Sequence, residues 1–144
     1  MNLTTTTEAL AAAMIDIEEG PGKRNSAGLY VPFQDTGGVW TIAKGHTNGV
    51  TADTPPADDA QAAAWFAEDQ ATLFSKVTVL PALEGAAWVD FGYNCGPGAM
   101  YACMLAGPSH LQYYIHDSKG NVQPGLVTRR QREYWMILLS RQLG

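Results

Sequence analysis

One stretch of this chain, residues 29–42, carries the signature of paired β-structure, and most of the rest is patterned for helix. The runs Leu29–Gln34 and Val39–Ile42 are rich in β-prone residues and flank Asp35-Thr36-Gly37-Gly38, a sequence suited to closing a hairpin. Pro32 has no N–H to give to a neighbouring strand, so it places the first run at a sheet edge. A lone pair of strands is not stable by itself. The ribbon must therefore lean on helices, and the predicted architecture is α+β, a small β hairpin lobe packed beside a mostly helical lobe.

The helices announce their ends. Thr5 and Glu8 have the spacing of a capping box before an apolar stretch, predicting a helix from about residue 6 to Glu19 with Leu10, Met14 and Ile17 on its buried stripe. Gly20-Pro21-Gly22 stops it, because glycine suits the left-handed position after a helix and proline cannot continue one. Lys23–Gly28 reads as a polar loop, and Val50 and Thr51 as a third short strand or a turn. After Pro55-Pro56 the pattern becomes helical over Ala57–Lys76, Leu83–Cys95, Gly98–Ala106 and Thr128–Leu143. Leu111–Gln123 predicts a short helix and then a Ser-Lys-Gly-Asn turn. With no internal repeat or low-complexity linker, residues 1–144 read as one domain.

Composition excludes several classes. Hydrophobic residues make up 46% of the chain, enough to bury a core, so wholesale disorder is ruled out. The longest apolar runs, such as Ala9–Ile15 and Trp135–Leu139, fall far short of the ~18 residues that a membrane span needs, so no membrane insertion is expected. The first basic residue is Lys23, which predicts no secretory signal peptide. A net charge of −5 argues against a nucleic-acid partner, which needs a basic surface. The charge is uneven: residues 119–144 hold five basic groups against Glu133, while the other 118 residues sum to −9. Most of those C-terminal cations read as a solvated helix face, with one or two arginines left to neutralise a buried carboxylate. Cys95 and Cys103 read as free buried thiols in a cytosol-made protein, a disulfide around Gly96-Pro97-Gly98 being the alternative, and the three scattered histidines make no metal motif.

Two carboxylates have physical reasons to be unusual. Glu19 closes the first helix, where the macrodipole disfavours an ionised carboxylate by ~0.3–1 kcal/mol, a setting that suits a general acid. An ordinary acidic residue at a fraying helix end is the competing account. Asp35 sits at the hairpin mouth; if 35 faces 39 and 33 faces 41, Asp35 and Thr41 are diagonal neighbours on one face, ~7–8 Å apart. Together they could hold one water, or Asp35 could simply start the turn, a role that aspartate fills well.

Taken together, Glu19-Gly20 and Phe33-Gln34-Asp35-Thr36-Gly37-Gly38-Val39-Trp40-Thr41-Ile42-Ala43-Lys44-Gly45-His46-Thr47 resemble the bacteriophage lysozyme (endolysin) family. That family's pattern is Glu-Gly closing a helix, an aromatic two before an Asp, a Thr six after it, then Gly-His. Val89–Gly96 is similar to the family's central helix, and Pro124–Arg130 through Glu133 to its Gly-Leu-x-x-Arg-Arg segment. The resemblance implies a lysozyme-like fold and a muramidase cutting the β-1,4 bond between N-acetylmuramic acid and N-acetylglucosamine in peptidoglycan glycan strands, without a cofactor. It implies Glu19 as proton donor, Asp35 assisting the attacking water and Thr41 orienting it. It further implies Thr47, Tyr93 and Asn94 as sugar contacts, Arg129 as ion-pair partner of the acid, and His46 as a structural residue with an aspartate partner left unidentified. Such an endolysin would be a monomer, made in the host cytoplasm and acting on the wall in the periplasm after release.

The departures are specific. Sixteen positions separate Glu19 from Asp35, about seven more than is common in the family, with Pro21–Gly28 as the inserted loop and Glu18 a rival for the acid. Ala43 and Lys44 replace a glycine and a usually apolar neighbour before Gly45. Two rival functions stay open: a peptidoglycan-binding module without activity, and a lytic transglycosylase.

Overall fold

A computed structural model of the chain describes residues 3–35 and 37–144, with side chains from residue 6 onward. The elements run α1 (Leu3–Glu19), β1 (Phe33–Gln34), β2 (Trp40–Thr41), α2 (Asp59–Ser75), α3 (Ala82–Cys95), α4 (Pro97–Ala106), a 3-10 helix (Pro108–Tyr113) and α5 (Pro124–Leu143). The chain is mostly helical with a small two-stranded antiparallel sheet, as its patterning predicts. It divides into two compact units, residues 1–15 with 72–144, and residues 16–71.

In the unit of residues 16–71, β1 and β2 pair antiparallel with Phe33 opposite Thr41 and Gln34 opposite Trp40, the predicted register. The ribbon is shorter than the two β-prone runs. The residues before Phe33 spend their hydrogen bonds elsewhere: Tyr30 N–H donates to Ala57 O (2.8 Å) and Val31 N–H to Lys23 O (2.9 Å). At the other end Ile42 turns back onto His46 through Ala43 and Gly45, both at positive φ (55° and 85°). The family's glycine at position 43 has a physical reason here, since alanine tolerates this left-handed backbone poorly. Val50 and Thr51 lie in turns rather than a strand. Tyr30, Ile42, Ala43, Ala57 and Ala62 form the unit's core, with Val50 and Trp65 packed against it.

The other unit is built around α3, which is buried from Glu84 to Phe91 and onward to Gly92. Trp88, Phe91, Met100, Cys103, Leu111 and Ile137 bring α3, α4, the 3-10 helix and α5 into one core. Small residues set the spacing: a Cβ on Gly92 would meet Leu73 and Met100 at 2.7 Å, and one on Gly85 would meet Thr7 of α1 at 3.0 Å. Gly96, at φ +93°, breaks α3 from α4, and Pro97 starts α4 where its missing N–H costs nothing.

Two expectations for α1 fail. The buried stripe is Thr7, Ala11, Met14 and Ile15, while Leu10 is exposed and Ile17 is 75% exposed. Ala11, Met14 and Ile15 stand four, seven and eight positions after Thr7, which puts all four on one helical face. Thr5 lies inside a helix that begins at Leu3, so it is not the N-cap. Helix α5 starts at Pro124, four residues before the predicted Thr128, because proline fits a first turn. The Leu111–Gln123 segment begins its short helix earlier, at Pro108, and then turns at Asp117–Asn121.

Candidate active site

Glu19 is the last residue of α1, and Gly20, at φ +74°, turns the chain away. Both Glu18 and Glu19 are half-buried and both have interaction partners, so the backbone alone does not choose between them. The inserted loop beyond is fastened rather than loose. Arg24 stacks on the Tyr30 ring (3.8 Å to the centroid) and donates to Tyr30 Oη (2.7 Å), Gly28 O (2.8 Å) and Asp59 Oδ1 (2.9 Å). A cavity of about 350 Å³ opens between this loop and the helix end, lined by Asp16, Gly20, Pro21, Arg24, Tyr30 and Lys44. Lys44, the departure from the family pattern, forms an ion pair with Asp16.

Asp35 N–H donates to Val39 O (2.9 Å), which continues the ladder to the hairpin mouth. Its side chain is exposed, and Oδ1 accepts from Gly37 N–H (2.8 Å) and Val39 N–H (2.9 Å). Oδ2 has no protein partner among the described residues. Thr41, opposite Phe33, is buried and donates its hydroxyl proton to Val39 O (3.0 Å), leaving its oxygen as an acceptor. Thr36, between Asp35 and Gly37, lies outside the described residues.

The aspartate beside His46 is Asp69. His46 Nδ1 lies 2.8 Å from Asp69 Oδ2, and the imidazole stacks flat on Trp65 with ring centroids 4.7 Å apart. Trp65 and Asp69 are four apart on α2, hence on one helical face, and grip the buried ring from two directions. Thr47 follows, exposed, at the start of a turn.

In the other unit α3 carries Tyr93, half-buried, and Asn94, exposed, on its last turn. Beneath them lies a buried charge cluster. Arg129 holds Asp90 in a two-pronged pair (Nε 3.1 Å, Nη2 2.9 Å), and its Nε stands 3.8 Å from Glu133. Arg130 donates to Glu133 Oε1 (3.0 Å), Asn94 Oδ1 (2.8 Å) and Cys95 Sγ (2.9 Å). Burial, then the hydrogen bond with Asp90, push the Glu133 carboxyl up to about 10 against the pull of the two arginines. Burial pushes Asp90 upward too, but the bonds from Glu133 and Arg129 outweigh it and hold that carboxyl below its ordinary value. Glu133 is therefore the protonated partner and donates to Asp90. Its Oε2 stands 2.9 Å from Arg130 Nε as an ion pair without hydrogen-bond alignment.

The arginines kept back for buried carboxylates are thus Arg129 and Arg130. Their partners are Asp90 and Glu133; a lone acid inside the apolar run Ala86–Phe91 is itself a signal that a cation must reach it. Asp69 had no comparable signal. Cys95 and Cys103 are both free thiols.

A mostly helical chain with one small two-stranded antiparallel sheet is the lysozyme-like fold. The sequence profile described as Phage lysozyme matches residues 26–133, and the chain belongs to the phage lysozyme family. The matched span takes in Asp35, Thr41, His46, Thr47, Tyr93, Asn94 and Arg129 and begins beyond Glu19. Among solved structures the chain is similar to the active form of the P1 phage endolysin Lyz, with TM-score 0.72 and 20% identity over 94% of this chain and 86% of that one. It is also similar to the muramidase domain of SpmX from Asticaccaulis excentricus (0.66, 19%, over 89% and 94%). The endolysin of Escherichia coli O157:H7 phage FAHEc1 is a third (0.63, 23%, over 90% of each chain). At these identities the likeness is one of fold. No curated protein matches the chain by sequence.

Proposed function

We propose that the chain is a peptidoglycan hydrolase, a muramidase that cuts the β-1,4 bond between N-acetylmuramic acid and N-acetylglucosamine and serves as a phage endolysin. Glu19 protonates the glycosidic oxygen, Asp35 takes a proton from the attacking water, and Thr41 lends an acceptor oxygen that orients that water. A water-mediated single displacement inverts the sugar and needs carboxyl groups ~6.5–9.5 Å apart. Arg129 is the cation paired with the acid in this reading; Thr47, Tyr93 and Asn94 contact sugar, and no cofactor takes part. The protein acts as a monomer on wall glycan in the periplasm after synthesis in the host cytoplasm.

The observation that carries the reading is Asp35: two backbone N–H groups pin one carboxylate oxygen while the other stays available at an exposed hairpin mouth. Family membership supports the same substrate class. The test is turbidity of outer-membrane-permeabilised Gram-negative cells. Wild type lyses them; Glu19→Gln and Asp35→Asn each lose lysis by a factor of at least ~100, the low end of what an acid or base contributes. Lysis unchanged in Glu19→Gln but lost in Glu18→Gln moves the acid by one residue. No lysis by wild type leaves a binding module, and anhydromuramic product ends in mass spectrometry make it a lytic transglycosylase.

A further inference from the structure

We propose that Arg130, anchored on Glu133, is a positioning residue that locks the Asn94 carboxamide with its two N–H donors outward, so that this point of the site selects acetamido carbonyl groups on the glycan. The inference deepens the muramidase reading and rests on it. Arginine has donors only, so the Asn94 atom 2.8 Å from Arg130 Nη2 is necessarily the oxygen. The Cys95 thiol adds a second donor to the same oxygen at 3.4 Å, while its sulfur accepts from Arg130 Nη1 at 2.9 Å.

The anchor cannot swing. The Arg130 guanidinium lies over the Phe91 ring, 4.7 Å from its centroid, and gives Nη2 to Glu133 Oε1 at 3.0 Å, with both Arg130 and Glu133 out of solvent. A carboxamide in water turns over freely, presenting either oxygen or nitrogen. Turning this one over would aim its N–H bonds at a guanidinium and a thiol, exchanging two accepted hydrogen bonds for opposed donors. Asn94 is exposed, and its Nδ2 has no protein partner among the described residues. The outward face is thus a pair of donors. A carbonyl oxygen of an N-acetyl group satisfies it, whereas the ammonium of a de-N-acetylated amino sugar, a donor itself, does not.

The experiment uses full-length Glu19→Gln as a non-cleaving parent and follows tryptophan fluorescence during titration with N-acetylated glycan-strand fragments and with the same fragments de-N-acetylated. The parent should prefer the acetylated ligand by about tenfold, the value of one good neutral hydrogen bond. Asn94→Asp keeps the oxygen for Arg130 but replaces the donors with a second acceptor; it should lose that preference. Arg130→Lys should lose it as well, yet cost nothing further when Asn94 is already alanine. Equal preference in the parent and in Asn94→Asp overturns the proposal and leaves the hydrolase reading standing, while a parent that binds neither glycan overturns that reading too. A loss on Arg130→Lys that persists undiminished in the Asn94→Ala background shows a structural role and refutes the positioning claim. Should Arg130→Lys not fold, the exposed Asn94→Asp change still decides.

Discussion

Glu133 is a group whose ionisation is tied to folding. It is fully buried on α5, and burial, with the hydrogen bond to Asp90, pushes it from 4.5 up to about 10. In the unfolded chain the same carboxyl has its ordinary value. Between those two values the folded protein holds a proton that the unfolded chain has released. The stabilising contribution of Glu133 is therefore complete below pH 4.5 and declines as pH rises towards 10, with a slope of about 1.4 kcal/mol per pH unit for one proton. Glutamine at this position is the neutral isostere: its carboxamide can donate to Asp90 and accept from Arg130, and it does not titrate. The stability of Glu133→Gln should consequently gain on wild type by about 4 kcal/mol between roughly pH 5.5 and 8.5. The neighbours cancel in this comparison. Asp90 is held below its ordinary 3.8, and burial holds the Cys95 thiol above its ordinary 9.0, so neither changes ionisation within that window. Urea unfolding followed by tryptophan fluorescence at half-unit pH steps measures the difference directly. Stability curves for the two proteins that run parallel across that window would refute the shared-proton account of the cluster.

Two further outcomes follow from the packing of α3. Asp90→Leu leaves Arg129 buried without its two-pronged partner and should cost about 3 kcal/mol in urea unfolding near pH 5, with the onset of Glu133 ionisation moved to lower pH because no carboxylate remains to accept its proton. Gly92→Ala puts a methyl group 2.7 Å from Leu73 Cδ2 and Met100 Sδ and should destabilise the unit by about 1–3 kcal/mol, read as a lower urea midpoint with an unchanged slope.

The parts of the fold legible in the sequence are those set by nearest-neighbour chemistry. Gly20-Pro21-Gly22 ends α1 because no helix continues through it, and Asp35 to Gly38 sets the hairpin register through a local turn. The illegible parts are set by distant partners. Leu29–Pro32 has the composition of a strand, yet Tyr30 pairs with Ala57, and no pattern in residues 29–34 could announce a partner 27 positions away. Which face of α1 is buried is likewise a property of what packs on it. Leu10 and Ile17 are the larger apolar residues, but it is Thr7 that packs directly against Gly85, so close packing rather than hydrophobicity decides the stripe.

The same division explains the candidate site. Arg129 and Asp90 stand 39 positions apart, and Arg130 and Asn94 stand 36 apart; the Arg130–Glu133 pair alone of these three is local, one helical turn on α5. Asp35 is the instructive case, because the turn reading accounts for only one of its two oxygens. The turn uses Oδ1 alone, accepting from Gly37 and Val39. Asparagine would build that turn as well, since only one acceptor oxygen is required. What aspartate adds is a negative charge and a second acceptor oxygen, neither of which the hairpin needs. The turn chemistry therefore serves as the positioning device for the carboxylate: by engaging one oxygen with two rigid N–H groups, it fixes where the other one points.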